Sequence, residues 1–268
     1  MITASQIREY LLTNSPWVDQ DRTVDQILFG DGDKPAAKVG VCWYPAMDTI
    51  VAANGAGCDL VVTHEPLFWR HRPEEKHWWD REPGAAKRRF LQETGMTVLR
   101  AHDSWDQWPD VGIRDSWAGF LGFENLTFTL EEHPHVLGIY DVEPQPLRAL
   151  AQHIADRVAE LGEDSVRVMG DPDRIVSRPS LGVGCGCPTA EIVEAGSDVA
   201  IVCYDGASYW ESRERLFEMD AAVIAVEHGT SEMPGIESLC THLAEQFPGT
   251  EFEYLAEHPC PWTVTGKV

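Results

Sequence analysis

Short apolar segments alternate with amphipathic segments along the chain from about Lys38 onward. The apolar segments predict buried strands, and the amphipathic segments predict helices. Regular alternation of the two is typical of strand–helix–strand units around a largely parallel sheet. The sequence therefore predicts a mixed α/β fold, and its 268 residues suffice for one large domain or two modest ones.

The predicted elements form two series along the chain. The predicted strands are 38–43, 60–63, 97–101, 135–142, 166–169, 199–203, 222–226 and 251–254. The predicted helices are 46–56, 82–95, 145–162, one that begins near Pro188 or Thr189, 208–219 and 232–247. The second series begins within a more polar, proline-containing stretch at 127–144, which indicates a second domain.

Several predicted strands run directly into histidine and carboxylate residues. His64 and Glu65 follow the strand at 60–63, and His102 and His228 each come just after a later strand. In open parallel sheets, ligands collect beyond the carboxyl ends of the strands. This placement favours a binding function over simple packing.

Two of these histidines are followed by a carboxylate at the same spacing. His102 precedes Asp106 by four residues, as His228 precedes Glu232. An imidazole and a carboxylate at this spacing share one face of a helical turn. Each pair could hold one cation between its side chains.

A single histidine more often satisfies a local hydrogen bond than binds a metal, so the prediction depends on the joint pattern. Together the six side chains supply the nitrogen and oxygen donors that zinc, iron or manganese accept. They are His64, Glu65, His102, Asp106, His228 and Glu232. The other histidines lack this context and are interpreted as surface or structural residues, namely His71, His77, His133, His135, His153, His242 and His258.

The domain division follows from the position of the third histidine block. If all blocks form one site, the carboxyl-terminal part must fold back onto the first part of the chain. We therefore predict a metal-binding α/β domain of residues 1–128 plus 205–268 and a second α/β domain of residues 129–204.

The composition narrows the classes of partner. Forty-four acidic residues against 21 basic ones give a formal net charge of −23, which opposes binding to nucleic acid and to anionic membranes. The chain lacks an apolar run of membrane-spanning length and an export signal, so we expect a cytoplasmic protein without a membrane partner. Seven cysteines without a regular framework indicate reduced thiols, and Cys185 and Cys187 are interpreted as turn residues rather than metal ligands.

The histidine blocks resemble those of a known family in order and spacing. The matching segments are the run from Gly57 to Leu67, then Ala101-His102 with Asp106, and finally the run from Glu227 to Glu232. On these residues the chain resembles the Nif-three-like dinuclear-metal-centre family, whose members are often called GTP cyclohydrolase I type 2 homologues. The resemblance covers nearly the whole length.

This resemblance implies two interlocked three-layer α/β domains, a ring-shaped homohexamer and two divalent metal ions per subunit. The ions would be iron, manganese or zinc, with magnesium also compatible. Carried over by position, the ligands would be His64, His102, Asp106, His228 and Glu232, with Asp106 and Glu232 as the bridging carboxylates.

Glu65 departs from the pattern because it stands where the family has a second histidine. With Glu65 ionised, three carboxylates and one bridging hydroxide would neutralise two divalent ions. Carboxylate is also a harder donor than imidazole, so we expect a modest shift toward manganese, magnesium or iron over zinc. The alternative is that Glu65 turns away and leaves one metal site weakened or empty. Lysine and arginine are expected to contribute little to these blocks.

The first functional hypothesis is a metal-dependent hydrolase that uses a metal-bridging hydroxide on a small-molecule substrate. The alternatives are a non-catalytic metal-binding scaffold or regulatory hexamer, and a GTP cyclohydrolase-like ring-opening enzyme. No motif for covalent catalysis stands out, and Asp103 and Glu227, which adjoin ligand histidines, are assigned no role.

Two further features each have two interpretations. Six tryptophans between positions 69 and 117 could wall a pocket over the metals, or pack in the core and at subunit contacts, which we favour slightly. The glycine-rich turn at 182–187 could present backbone amides to an anion, but it matches no phosphate-binding motif. We interpret it as a tight connection from a strand to a helix.

Overall fold

The computed structural model describes residues 1–71, 79–130, 137–185, 187–207, 209–257 and 261–266. Four of the histidines interpreted as surface or structural lie outside these residues, namely His77, His133, His135 and His258. The start of the predicted strand 135–142 and of the predicted helix 208–219 also lie outside them. Across the described ranges, every helix is too short or too polar to cross a membrane.

Residues 1–108 and 236–257 form the first compact unit. Its sheet has the strand order β1-β4-β3-β2-β13, with β1 as an antiparallel edge strand and the other four parallel. The strands are β1 (Ile27–Phe29), β2 (Lys38–Cys42), β3 (Leu60–Thr63), β4 (Thr97–Arg100) and β13 (Glu251–Tyr254). The helices that lie wholly in this unit are α1 (Ala4–Thr13), α2 (Met47–Gly55), α3 (Gly84–Thr94) and α4 (Asp103–Asp106).

The central strands of this sheet form because their side chains are apolar on both faces. Every residue of β3 and β4 is buried, as expected of parallel strands covered by helices. Ile50 and Ala53 of α2 and Leu91 of α3 pack with Val61 and Val98 in one core cluster. The cluster fixes the carboxyl ends of β3 and β4 side by side, where the first two histidine blocks begin.

Residues 109–235 and 258–268 form the second compact unit. Its six-stranded sheet has the order β5-β6-β10-β11-β12-β8, in which β10, β11 and β12 are parallel. Its strands are β5 (Leu126–Thr129), β6 (Leu137–Tyr140), β8 (Arg167–Met169), β10 (Pro179–Gly182), β11 (Val199–Cys203) and β12 (Val223–Val226), with β7 (Gln145–Pro146) and β9 (Ile175–Val176) paired separately. Its helices are α5 (Ile113–Leu121), α6 (Leu147–Ala159), α7 (Thr189–Glu194), α8 (Tyr204–Ala207) and α9 (Trp210–Glu218).

Helix α10 (His228–Gln246) begins in the second unit and continues in the first. It begins four residues before the predicted helix 232–247, so that the whole His228–Glu232 block is helical. The expected mixed α/β fold is confirmed. The predicted bounds of β3, β11 and β13 match the observed strands, whereas α1, α4, α5 and β10 were not predicted.

The compact units differ from the predicted domains at three segments. Residues 109–128, 205–235 and 258–268 were assigned to the metal-binding domain, but they lie in the second unit. The reason is strand pairing, because β12 pairs with β11 and β8 in the second sheet. Helix α5 also packs against α6, where the guanidinium of Arg157 lies 4.3 Å from the centre of the Phe120 ring.

Candidate metal centre

The first group of candidate ligands is His64, His102 and Asp106, which lie where β3 and β4 end. Thr63 and Arg100 are partners in the register of these strands, so the residues that follow them emerge side by side. One donor atom from each of the three side chains lies within 4.8 Å of those of the other two. Two imidazoles and one carboxylate at this separation form a suitable donor set for a divalent transition metal.

Local hydrogen bonding orients the His64 imidazole. Its Nδ1 lies 3.1 Å from the carbonyl oxygen of Ala101, which can only accept, so Nδ1 carries the proton. Nε2 is the nitrogen that faces the second ligand, and it lies 3.4 Å from Oδ1 of Asp106. The imidazole is fully buried and stacks on the His102 ring at 4.3 Å. A backbone carbonyl that fixes the tautomer of a histidine is typical of metal ligands.

His102 and Asp106 share one face of the helical turn α4, as their spacing predicts. Nδ1 of His102 lies 3.1 Å from Oδ2 of Asp106 and 3.1 Å from Oδ1 of Asp103. Burial lowers the pKa of His102, but these two carboxylates outweigh burial and raise it well above its ordinary value. Carboxylates that stabilise an imidazolium here would also stabilise a metal cation. Asp103, which was assigned no role from the sequence, therefore contacts the imidazole of the candidate ligand that it follows.

A buried carboxylate that sequence reasoning missed holds this turn in place. Asp25 is 1% exposed and accepts three backbone N–H groups at the start of α4. The distances are 2.7 Å from His102, 2.8 Å from Asp103 and 3.1 Å from Ser104. Acceptors at a helix start satisfy amides that lack intrahelical partners, so Asp25 caps the turn that presents His102 and Asp106.

Glu65 follows His64 and lies against an arginine. Arg100 is 1% exposed, and its Nη2 lies 3.4 Å from Oε2 of Glu65. The expectation that arginine contributes little to these blocks was therefore wrong. His71, interpreted from the sequence as surface or structural, also lies here, and its donor atom falls within 4.8 Å of those of Glu65 and His102. Arg100 donates to Nδ1 of His71 at 3.0 Å, and burial lowers the pKa of His71 to about 4.

The second group of candidate ligands is His228 and Glu232, which lie in the second unit on the first turn of α10. Nε2 of His228 lies 3.2 Å from Oε1 of Glu232, as the four-residue spacing predicts. Nδ1 of His228 lies 2.7 Å from Oδ2 of Asp205. Burial lowers the pKa of His228, but Glu232 and Asp205 raise it to about 12. A carboxylate on one ring nitrogen orients the other nitrogen for metal binding.

Asp205 was not predicted as a site residue, although its position after a strand carries the same signal as the ligands. Cys203 and Val226 are partners at the ends of β11 and β12, and Asp205 and His228 each follow by two residues. The two side chains therefore emerge together. The hydrogen bond to His228 lowers the pKa of Asp205, so the carboxylate stays ionised beside the imidazole.

The glycine-rich turn packs against this second group. Gly184 has φ +66°, and a Cβ built on it would lie 2.9 Å from Oε1 of Glu232. A side chain here would meet both backbone strain and the ligand carboxylate. The thiols nearby donate to carbonyl oxygens of the turn, Cys187 to Val183 at 3.1 Å and Cys203 to Gly184. These contacts support the interpretation of the turn as a tight connection, with Cys187 in a structural role.

Glu163 accepts hydrogen bonds from the backbone just before helix α10. Its carboxylate is 5% exposed, and both oxygens lie 3.1 Å from the backbone N–H of Glu227, one residue before His228. Burial raises the pKa of Glu163 to about 7. Glu163 therefore positions the second ligand group at the cost of holding a carboxylate away from water.

This raised pKa predicts how stability depends on pH. Between pH 4.5, the ordinary value, and about 7, the folded state binds more protons at Glu163 than the unfolded state, so stabilisation present below pH 4.5 is lost as the pH rises. We expect the unfolding free energy of wild type relative to Glu163→Gln to fall by about 3 kcal/mol across this window. Urea unfolding at pH 4.5 and 7.5 measures the change. A difference that rises with pH would contradict it.

Three tryptophans of the 69–117 segment and His242 pack against other side chains. Trp105 and Trp117 are fully buried, and Trp105 contacts the rings of Trp108 and His242. His242 also bonds to the hydroxyl of Tyr10 at 2.9 Å. The packing interpretation is therefore favoured for Trp105, Trp108 and Trp117.

The comparisons with known proteins agree with the motifs. The chain is 25% identical over 211 residues to the GTP cyclohydrolase 1 type 2 homolog of Deinococcus radiodurans, covering 78% of this chain and 76% of that protein. It is 26% identical over 233 residues to the Streptomyces coelicolor protein of the same name, covering 81% and 77%. Among solved structures, the Staphylococcus aureus hypothetical protein SA1388 superposes with a TM-score of 0.79 at 16% identity, covering 98% and 99% of the two chains. TTHA1606 from Thermus thermophilus gives 0.74 at 21% identity, covering 97% and 100%.

The fold and the ligand groups define a mixed α/β protein with candidate sites for divalent cations. The family model of Duf34/NIF3 (NGG1p interacting factor 3) matches residues 9–261. The chain therefore belongs to the Duf34/NIF3 family, which confirms the resemblance drawn from the histidine blocks.

Proposed function

We propose that the protein is a metal-dependent hydrolase whose two ligand groups together bind two divalent ions, iron, manganese or zinc. The observation that carries the proposal is the group of His64, His102 and Asp106, whose donor atoms lie within 4.8 Å of one another at the ends of neighbouring parallel strands. Fixed tautomers and capped turns support a binding role, because they hold the donors in place before a ligand arrives.

The donor set fits divalent metals by its chemistry. In the first group, His64 and His102 offer imidazole nitrogens and Asp106 offers a carboxylate. In the second, Asp205 orients His228 toward Glu232. When bound, divalent ions lower the pKa of a coordinated water and polarise a carbonyl or phosphoryl oxygen. The chain's own residues would bind and orient the ions, with Asp106 supplying the carboxylate of the first group and Glu232 that of the second.

The substrate class is proposed as a small molecule with a hydrolysable carbonyl, phosphoryl or ring carbon. Because the relatives from Deinococcus radiodurans and Streptomyces coelicolor are called GTP cyclohydrolase 1 type 2 homologs, we include GTP among the candidates to assay. We assign none of the described side chains to the recognition of a guanine ring. We also propose assembly into a homohexamer, in line with the resemblance, with light scattering on the purified protein as the measurement.

Replacement of Asp106 by alanine tests the proposal. Loss of an outer-shell partner alone commonly costs 10- to 100-fold in metal affinity, so loss of a ligand should weaken Mn²⁺ and Zn²⁺ binding by at least about 100-fold. Hydrolysis of a panel of phosphoesters, cyclic amides and nucleotides, including GTP, should fall with it while the assembly stays intact. Elemental analysis and chelator competition measure the metal.

The matched control is His153→Gln, which removes an imidazole that bonds to the carbonyl oxygen of Leu121 and belongs to neither ligand group. Its metal content should equal that of wild type. Metal binding without turnover on any substrate of the panel, together with loss of assembly in Asp106→Ala, would instead support a non-catalytic scaffold. Wild-type protein that binds neither ion would contradict the proposal.

A further inference from the structure

Arg100 is a buried cation inside the first ligand group. It ends β4, two residues before His102, and its side chain is 1% exposed. The guanidinium donates through Nε to the carbonyl oxygen of His64 at 2.8 Å and through Nη1 to that of His71 at 2.7 Å. Its Nη2 lies 3.4 Å from Oε2 of Glu65. One side chain therefore contacts the backbone and side chains of the segment that carries two candidate ligands.

A guanidinium stays charged at all accessible pH values, so its burial requires a nearby negative charge. Glu65 is the carboxylate that lies against it, and the Glu65 side chain is only 14% exposed. A metal centre is an unfavourable place for an additional cation, because like charges repel strongly where water is excluded. Arg100 is acceptable there only if its charge is cancelled within the centre.

We infer that Glu65 and Arg100 act as one electrically neutral unit, so that Arg100 cancels the negative charge of Glu65 and thereby limits the strength of cation binding. This inference rests on the proposed metal-binding function. The charge that attracts cations then comes from Asp106 in the first group and Glu232 in the second. The count of three carboxylates falls to two, and the expected preference for manganese, magnesium or iron over zinc loses its basis in charge.

The inference makes predictions of opposite sign for the two partners. Arg100→Gln leaves Glu65 uncompensated, and its charge should strengthen Mn²⁺ binding by at least about 100-fold, the effect of a unit charge on a divalent ion at about 10 Å and an effective dielectric constant of about 20. Glu65→His supplies a neutral nitrogen donor but leaves Arg100 uncompensated. It should weaken Mn²⁺ binding by a similar factor.

The double variant Glu65→His with Arg100→Gln restores neutrality, and its affinity should return to within about 5-fold of wild type, since removal of both charges restores the balance. Arg100→Lys keeps the positive charge and should bind Mn²⁺ within about 3-fold of wild type, since the charge and not the guanidinium shape sets the effect. Lys38→Gln is the matched control, because it removes a cation paired with Glu251 and Glu253 at the opposite end of β2. Its Mn²⁺ affinity should be unchanged.

Competition with a chelating dye on the full-length protein measures the Mn²⁺ affinity, and thermal unfolding without metal verifies that each variant is folded. The unfolding data also give the coupling energy between positions 65 and 100. The double variant should lose less stability than the sum of the losses in the two single variants. Weaker Mn²⁺ binding by a folded Arg100→Gln variant would overturn this inference but not the proposed function. Equal Mn²⁺ binding by the Glu65→His variant and by the double variant would do the same. Absence of Mn²⁺ binding by wild type would overturn the proposed function and this inference together.

Discussion

Replacement of Asp25 by alanine is expected to destabilise the protein by about 4 kcal/mol and to abolish tight metal binding. The Asp25 carboxylate is almost fully buried and accepts three backbone N–H groups, those of His102, Asp103 and Ser104. Each buried donor left without a partner costs about 1–3 kcal/mol, and alanine would leave all three unsatisfied. Helix α4 would then lose the acceptor that fixes its first turn.

The effect on metal binding follows because this turn carries two of the candidate ligands. Nδ1 of His102 and Oδ2 of Asp106 are held 3.1 Å apart by the helical conformation of residues 103–106. Urea unfolding measures the loss of stability, and chelator competition measures the loss of affinity for Mn²⁺. The control is Asp19→Ala, which removes a carboxylate that accepts one amide in an exposed turn and should change stability by no more than about 0.5 kcal/mol. A folded Asp25→Ala protein with unchanged metal affinity would contradict the prediction.

Asp25 shows why part of the site could not be predicted from the sequence. The ligand turn could be predicted, because an imidazole and a carboxylate four residues apart contact each other once the segment is helical. The cap could not, because 77 residues separate Asp25 from His102 and no local spacing joins them. Contacts between residues so far apart in the sequence depend on tertiary structure, which the periodicity of apolar residues does not predict.

Arg100 and Asp205 were missed for a different reason, since Arg100 lies in the predicted strand 97–101 and Asp205 closely follows the predicted strand 199–203. Arg100 is the last residue of β4, and an alternating or apolar pattern does not say which polar residue at a strand end points into a site. Asp205 follows β11 as the ligand histidines follow their strands, so the rule that located His64 and His228 would also have located it. Its position after a strand was visible in the sequence, but this criterion was applied only to segments that contain histidine.

The domain division depended on pairing that the pattern leaves open. A run such as 223–226 predicts a buried strand but does not identify its neighbours in the sheet. The third histidine block was placed with the first two because of a shared chemical role. Its strand instead lies between β11 and β8 in the second sheet. The shared chemistry selected the candidate ligands in the sequence, but it did not assign the strand before His228 to a sheet.

Replacement of Lys87 by methionine is expected to destabilise the protein by about 3 kcal/mol at pH 7. Lys87 is 4% exposed, and its Nζ donates to the carbonyl oxygens of Pro45 at 2.7 Å and Leu67 at 3.0 Å. It also lies 4.8 Å from the centre of the Tyr44 ring. The ammonium group thus connects the segment that follows β2 to the segment that follows β3, which contains Glu65. Methionine has a similar length but leaves both carbonyls unsatisfied.

The difference in stability should also grow with pH. Burial lowers the pKa of Lys87 to about 8, so between about pH 8 and the ordinary value of 10.5 the unfolded state binds more protons at this group than the folded state. Stability due to Lys87 therefore rises with pH across that window, by about 3 kcal/mol in total. Guanidinium unfolding of wild type and Lys87→Met at pH 7, 8.5 and 10 measures the trend.

The control for Lys87 is Lys34→Met, which removes an exposed ammonium group that bonds to the carbonyl oxygen of Gly95. It should change stability at pH 7 by no more than about 0.5 kcal/mol, because water can replace the lost hydrogen bond. A Lys87→Met protein whose deficit relative to wild type shrinks between pH 8 and 10 would contradict the prediction, because it would show that the fold raises the pKa of Lys87. Equal stability of the two proteins at pH 7, 8.5 and 10 would show that the segments after β2 and β3 are fixed by their apolar contacts alone, without a contribution from Lys87.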